Sequence, residues 1–371
     1  MHRLSALALA ALCSGCTAAA QYHPWPETSL AQPDSITVGF NHHRGSSYIS
    51  PLTSQRRSGD NLEQQLITAI ESAQREVLVA VQELTLPAIA EALIERHRAG
   101  VSVKLVLENT YSAPWSRQHP AGLEPRQQQR LRRLQNLGWS DAIALLESAG
   151  VPLLDDTADG SAGSGLMHHK FVVIDRQRVL TGSANFTSSG LHGDAGQTRS
   201  RGNVNHLLTL DSPELAQLFA EEFAQLWGDG PGGQPDSRFG LGKHSRGLKQ
   251  AQLGSYRAGV LFAPHRRDDP DHGLALIRQQ LDQAKQSIDL ALFVFSAQEL
   301  ADVLAIKREQ GVEIRVLVDP GFAHRSYSEW LDLKGLVMAD HRCRLEADNN
   351  PRSEEHTSEL QSLTNLVCRL L

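Results

Sequence analysis

Between residues 66 and 108 the chain switches between two hydrophobic periods. Apolar positions at helical spacing run up to Ala73, and Val77-Leu78-Val79-Ala80-Val81 follows as an unbroken apolar run, the pattern of a strand buried on both faces. Ile89-Ala90-Glu91-Ala92-Leu93 returns to helical spacing, Gly100 stops it, and Val103 to Glu108 reads as a second strand. The same order recurs without a gap from Ile277 to Asp319 at a constant offset of 211 residues, position 66 falling on 277. Ala284 then stands for Ala73, Ile288-Asp289-Leu290-Ala291-Leu292 for the first strand, Leu300-Ala301-Asp302-Val303-Leu304 for the second helix, and Gly311-Val312 for Gly100-Val101. Each copy is helix, strand, helix, glycine, strand. The expected class is therefore α/β: two pseudo-repeated α/β sandwich lobes with largely parallel central sheets, the second lobe truncated.

The first copy continues. Trp139 to Ala149 reads as a helix stopped by Gly150, and Val151 to Leu154 as a strand. Phe171 to Ile174 is β-branched and apolar, a buried strand that turns through Arg176-Gln177-Arg178 into a second, Val179 to Thr181. Asn203 to Leu210 is a further strand, and Asp211-Ser212-Pro213-Glu214 opens a helix that runs to Trp227. Phe219, Phe223 and Trp227 recur every fourth residue, a core-facing stripe. Glycine and proline are dense from Gly228 onward. These signals divide the chain into a first lobe at 35–228, a linker at 229–255 and an incomplete second lobe at 256–351.

Length and composition add bounds. With 371 residues and 40% hydrophobic content the chain is globular and large enough for two cores, and a net charge of −6 gives no general attraction to nucleic acid. A local exception is the basic stretch from Arg96 to Arg133, which includes Arg126, Arg130 and Arg132. It reads either as a solvated helix face or as a surface that recognises an anionic head group. Arg3, the apolar run Leu4 to Leu12 and Cys13-Ser14-Gly15-Cys16 have the layout of a signal peptide, 1–15. The expected location is outside the cytoplasm, periplasmic or on an outer face. Ser14-Gly15-Cys16 resembles a bacterial lipobox, which makes Cys16 the expected lipid anchor and 16–34 a tether, with plain secretion as the alternative. Arg352 to Ser362 resembles the translation of a sequencing-library adapter, so 352–371 is expected to be a non-native tail. Cys13 and Cys368 then fall away, and with Cys16 as anchor only Cys343 remains, which leaves no disulfide framework.

The chemistry is concentrated in His168-His169-Lys170-Phe171-Val172-Val173-Ile174-Asp175, followed by Gly182-Ser183-Ala184-Asn185. A neutral imidazole attacks phosphorus, and an ammonium with nearby polar donors neutralises the non-bridging oxygens. Alternation along a strand sets His168 and Lys170 on one side and His169 on the other, where it is expected to be structural. A zinc site built from His168, His169, His192 or His206 lacks ligand spacing, and no metal or cofactor is expected.

The spacing H-x-K-x4-D-x6-G-S-x-N resembles the HKD signature of the phospholipase D superfamily, with every defining position filled. The resemblance implies that His168, Lys170 and Asp175 form the catalytic group, Asp175 by holding the local geometry. Lys170, Ser183 and Asn185 would bind the substrate phosphate. It implies hydrolysis through a phosphohistidine, with a second histidine from a second HKD motif protonating the leaving alcohol. At the repeat offset that histidine would fall near position 379, beyond residue 371, so a dimer is expected to supply it if the second motif is absent. Relatives often carry N-x-E-N after the GSxN element; here Asn203-Val204-Asn205-His206 puts an amide where the carboxylate would be, and which histidine is the nucleophile stays open. The expected function is a phosphodiesterase acting on a phospholipid head-group ester. The alternatives are an exported HKD-type nuclease (nucleic acid being the less favoured partner), a phosphatidyltransferase of the cardiolipin synthase kind, and a non-enzymatic phosphate-binding surface protein.

Overall fold

The computed structural model describes residues 34–161, 166–194, 200–244, 247–266 and 268–334. The expected signal peptide, the Cys16 anchor, nearly all of the 16–34 tether, Cys343 and the 352–371 tail lie outside the described residues. The chain opens with β1 (Ile36–Phe40) and the short hairpin β2 (Ser47–Ile49) and β3 (Arg56–Ser58). A βαβ run follows: α1 (Leu62–Glu71), β4 (Glu76–Val81), α2 (Pro87–Arg98) and β5 (Ser102–Leu107). Next come α3 (Asn109–Ser112), α4 (Pro125–Asn136), α5 (Ala142–Ser148) and β6 (Leu153–Asp155). The motif strands are β7 (Lys170–Ile174) and β8 (Arg178–Gly182), and after α6 (Ser188–Leu191) come β9 (His206–Asp211) and α7 (Pro213–Trp227). A hairpin, β10 (Lys249–Leu253) and β11 (Tyr256–Val260), precedes α8 (Gly273–Gln283), β12 (Ser287–Leu292), α9 (Gln298–Glu309), β13 (Glu313–Val318) and α10 (Glu329–Leu333).

One seven-stranded sheet, in the order β1-β9-β8-β7-β4-β5-β6, carries the first lobe. From the pairings, β1, β8, β4, β5 and β6 run one way while β7 and β9 run the other. The largely parallel expectation thus holds for strand direction, five of the seven strands agreeing. Only β4-β5-β6 are neighbours in parallel, because the interleaved β7 and β9 make every other contact antiparallel. The reason is local: β7 and β8 are joined by a turn in which Gln177 N–H donates to Ile174 O at 2.9 Å, too short for the crossover that parallel neighbours need. Asp175 and Arg176 both take positive φ, 51° and 55°, as in the type I′ turns that suit hairpin twist.

Each face of the sheet has its own apolar layer. Val77, Val79, Val81, Val172 and Ile174 pack under α1, α2 and α5, and Leu78, Ala80, Phe171 and Val173 pack under α7. The stripe on α7 is core, as its spacing predicts: Phe219 meets Phe171 edge-on at 5.1 Å, and Phe223 stacks on Trp227 at 5.7 Å. Ser212 caps this helix by accepting Leu215 N–H at 3.2 Å.

Two boundaries differ from the sequence reading, each for a visible reason. The helix expected from Trp139 starts at Ala142, because Asp141 accepts Ile143 N–H at 3.0 Å and so fixes the cap. The strand expected from Asn203 starts at His206, since Asn203 O instead accepts from the Asn41 amide at 2.8 Å. The expected edge between linker and second lobe, 255/256, falls inside the β10-β11 hairpin. Ala251 and Leu253 are buried in the core beneath α7, and Ala258, Val260 and Phe262 pack against it, so the first lobe's packing extends to Phe262.

Residues 273–318 hold a separate apolar cluster around Leu281, Ile288, Leu290, Leu300 and Leu304, with β12 and β13 paired in parallel. The strand bounds 287–292 and 313–318 lie 211 residues after 76–81 and 102–107. The helix stops match too: Gly100 (φ 86°) and Gly311 (φ 84°) are left-handed, and Val101 and Val312 N–H each reach back to the preceding helix, to Arg96 O and Lys307 O.

Candidate active site

The ends of β4 and β8 and the starts of β7 and β9 meet at one end of the large sheet, and the motif residues cluster there. His168 and Lys170 enter β7, Ser183 to Asn185 leave β8, Asn205 and His206 enter β9, and Gln82-Glu83 leave β4. Gln82 N–H donates to His169 O at 3.2 Å, and Phe186 N–H donates to Glu83 O at 3.0 Å, so the β4 exit is clamped between the two motif segments. Ligand sites at the carboxyl ends of parallel strands are the rule for α/β sheets.

Lys170 is 7% exposed, and its ammonium donates to His168 O at 2.9 Å. Burial lowers its pKa to about 7, opposed by the negative charge of Glu83. Asn185 donates through Nδ2 to Gln82 Oε1 at 3.0 Å, which orients its amide. Gly182 is required by close approach: a Cβ there would lie 2.2 Å from His206 O.

Ser183 is more committed than its expected phosphate contact implies. Its hydroxyl donates to Asn205 Oδ1 at 2.8 Å, accepts His206 N–H at 3.1 Å, and lies 3.3 Å from His206 Nδ1. A hydroxyl has one proton and two lone pairs, so this set, with Nδ1 protonated, uses all of them. Asn205, the residue that departs from the family pattern, turns its Nδ2 to Gly190 O at 2.8 Å, while burial lowers the pKa of His206.

Asp175 sits apart from this cluster. It lies past the far end of β7, where its carboxylate accepts the N–H groups of Gln74, Arg75 and Glu76 at 2.8, 2.7 and 2.8 Å. Burial pushes its pKa up, but those three donors and the Arg75 charge outweigh it and hold the carboxyl below the usual range. His169 and the five residues of β7, the latter about 16 Å of strand at about 3.3 Å each, lie between it and His168. Grouped by motif with the catalytic residues, Asp175 holds the α1–β4 junction and touches no reacting atom.

His169 faces the α7 side, as strand alternation predicts. Its ring meets Phe171 edge-on at 5.4 Å, and its Nε2 lies 3.0 Å from Glu222 Oε1. Glu222 also accepts from Lys243, whose ammonium donates in turn to Ala263 O at 2.7 Å. Burial would raise the Glu222 pKa, but the His169 bond and the charges of His169 and Lys243 take it down to about 2.

Two further side-chain groups are brought together by the fold and not by any motif. Glu83 holds Arg130 of α4 at 2.8 Å, and the Arg130 guanidinium lies 4.8 Å from the centre of the Tyr111 ring. His192, 3% exposed, lies 2.7 Å from Glu63 Oε2 through Nε2 and 2.8 Å from Tyr48 Oη through Nδ1. That chain ties the β2-β3 hairpin to the turn bearing Gly190 O, and burial pushes the Tyr48 phenol up to about 12. Among the described residues no three His, Cys, Asp or Glu side chains converge as a metal site.

A family model described as "Cardiolipin synthase, PLD-like domain" matches residues 66–227 and 277–367, more than half of the chain. The chain belongs to the phospholipase D-like family. Among curated relatives, mitochondrial cardiolipin hydrolase of Xenopus laevis is 29% identical over 169 residues, 45% of this chain and 62% of that protein. The Xenopus tropicalis protein of the same name is 30% identical over 168 residues, with the same two shares. This phospholipase D-like chain thus spans under two thirds of the length of those relatives. Among solved structures, the phospholipase D family member Nuc from Salmonella typhimurium is 24% identical, with 53% of this chain and 96% of that one covered at a TM-score of 0.33. Phosphatidylserine synthase from Haemophilus influenzae is 13% identical, with 77% and 62% covered at a TM-score of 0.46.

Proposed function

We propose that this chain is a phosphodiesterase that cleaves a phospholipid head-group ester, with His168 as the nucleophile. The observation that carries the reading is the gathering of His168, Lys170, Ser183 and Asn185 at one sheet end, in a chain of the phospholipase D-like family. A neutral His168 imidazole attacks phosphorus, the bond from phosphorus to the head-group oxygen breaks, and a second histidine protonates the departing alcohol. Water activated by that second histidine then attacks the phosphohistidine and restores the free ring. Lys170 and the Asn185 amide carry the charge that builds on the phosphoryl oxygens. Ser183 contributes by fixing Asn205 and the start of β9, since its hydroxyl is already taken up.

The lipid substrate draws support from the cardiolipin hydrolases among the relatives and from the acidic net charge of −6, which disfavours general binding to nucleic acid. The expected export, with Cys16 as an anchor, agrees with a substrate in a membrane but is independent of the site. The test is turnover on a panel of phospholipids, with single- and double-stranded DNA alongside. We expect head-group release from at least one anionic phospholipid and its loss in His168→Asn, at unchanged thermal stability. Turnover confined to DNA would replace this reading with the nuclease, and transfer to an added alcohol without free phosphatidate would replace it with the transferase. Binding of phosphodiesters with no turnover under any condition would leave a phosphate-binding protein.

A further inference from the structure

The α4 helix, Pro-Arg-Gln-Gln-Gln-Arg-Leu-Arg-Arg-Leu-Gln-Asn, carries four arginines and no acidic residue in a chain whose net charge is −6. It rises from the same end of the sheet as the candidate site, since it follows β5 and its neighbour β4 delivers Gln82-Glu83 there. Leu131 is its single buried residue. Arg126, Arg130 and Arg133 fall at i, i+4 and i+7, one stripe of the helix. The middle of that stripe is the Arg130 that grips Glu83, beside Lys170 in charge terms. Arg126 and Arg133 are exposed about one turn to either side of it on that stripe, and Arg132, exposed as well, stands about 100° round the helix from Arg133. Among the described residues, Arg126, Arg132 and Arg133 have no ion-pair partner. Glu83 is held by Arg130, and Glu124 by the capping box that starts the helix.

The opposite rim of the same end carries two exposed apolar side chains, set among His42, His43, Arg44 and Arg201. Phe40 closes β1 and is 38% exposed, and Val204, just before β9, is 62% exposed. An arginine stripe and exposed apolar side chains around one opening complement an anionic bilayer, whose head groups take the cations and whose acyl boundary takes the apolar groups. A single-stranded nucleic acid would want aromatic platforms along the basic track, and α4 has no aromatic residue.

We propose that α4 docks the protein on an anionic lipid surface through Arg126, Arg132 and Arg133, presenting the head group to the site beneath; this rests on the phospholipid reading above. Binding of the full-length protein to vesicles of phosphatidylglycerol and phosphatidylcholine, compared with phosphatidylcholine alone, tests it without needing turnover. A lipid anchor would hold the protein to both vesicles, so the difference between them reads the stripe. We expect preference for the anionic vesicles and its loss at high salt. In R126Q/R132Q/R133Q the preference should fall by about fivefold per arginine, on the order of a hundredfold in all. R126K/R132K/R133K should keep it, and hydrolysis of a soluble chromogenic phosphodiester should be unchanged in both variants. Equal binding to the two vesicles by the unsubstituted protein, or a triple glutamine variant that keeps the preference, would overturn the proposal. Arginine-dependent binding of single-stranded DNA in place of vesicles would also overturn it, in favour of a nucleic-acid track. Loss of all phosphodiester turnover alongside intact anionic-vesicle binding would count against the chemistry and leave the docking surface standing.

Discussion

Lys170 concentrates the residue-scale argument. A lysine whose folded pKa sits near 7, well below 10.5, is penalised as an ammonium whenever the pH is below the unfolded value. Between about pH 7 and 10.5 the unfolded chain binds more protons than the folded one, so this residue makes stability rise with pH across that window. A bound phosphodiester anion reverses the penalty by restoring the charge. Affinity for a non-titrating phosphodiester should therefore be greatest below about pH 7 and fall as pH rises beyond it, by up to about tenfold per pH unit. Calorimetry in buffers of differing ionisation enthalpy would show proton uptake on binding; uptake of none at pH 8 would refute it. Replacing the buried amine removes the penalty, so Lys170→Met should stabilise the fold at neutral pH by roughly 1 to 4 kcal/mol while abolishing phosphodiester binding. A destabilised variant in denaturant titration would contradict that sign.

At the scale of elements, short-range pattern carried far. The apolar runs at Val77–Val81 and Ile288–Leu292, each followed by a helix and a left-handed glycine, are strands and stops in the structure at the positions their spacing predicts. A left-handed glycine with open space where a Cβ would go tests this cleanly. Gly100→Ala and Gly311→Ala should each cost about 1 kcal/mol, through backbone strain alone, in chemical denaturation. Costs above about 3 kcal/mol would mean hidden contacts at these stops. What the chain did not disclose was long-range. β1 is five residues paired with β9 across some 170 positions, and nothing within Ile36–Phe40 announces that partner. The chain of contacts from His169 through Glu222 and Lys243 to Ala263 draws on three separate segments beyond its own, and that of His192 with Glu63 and Tyr48 on two. The motif made the site legible because its residues lie on one hairpin. Arg130 reaching Glu83 was illegible because only the fold brings α4 over the exit of β4.

For the whole molecule, the two-histidine chemistry sets the expectation. The sequence carries one HKD motif, and its first-lobe site supplies one of the two rings that the proposed reaction uses. If the second ring comes from another copy of this chain, turnover requires two copies that bring their motif faces together. Specific activity should then rise with protein concentration, and a mixture of His168→Asn with active chains should lose activity more steeply than the fraction of inactive chains. Activity per chain that is constant down to a verified monomer would break the pairing argument. The central claim is the transient bond between His168 and phosphorus. Rapid acid quenching during steady turnover, followed by mass spectrometry of the peptide that spans His168, reads it directly. We predict a phosphatidyl or phosphoryl adduct on His168 that appears with substrate, decays as substrate is exhausted and is absent in His168→Asn. Measurable product with no adduct on that ring at any time point would contradict it.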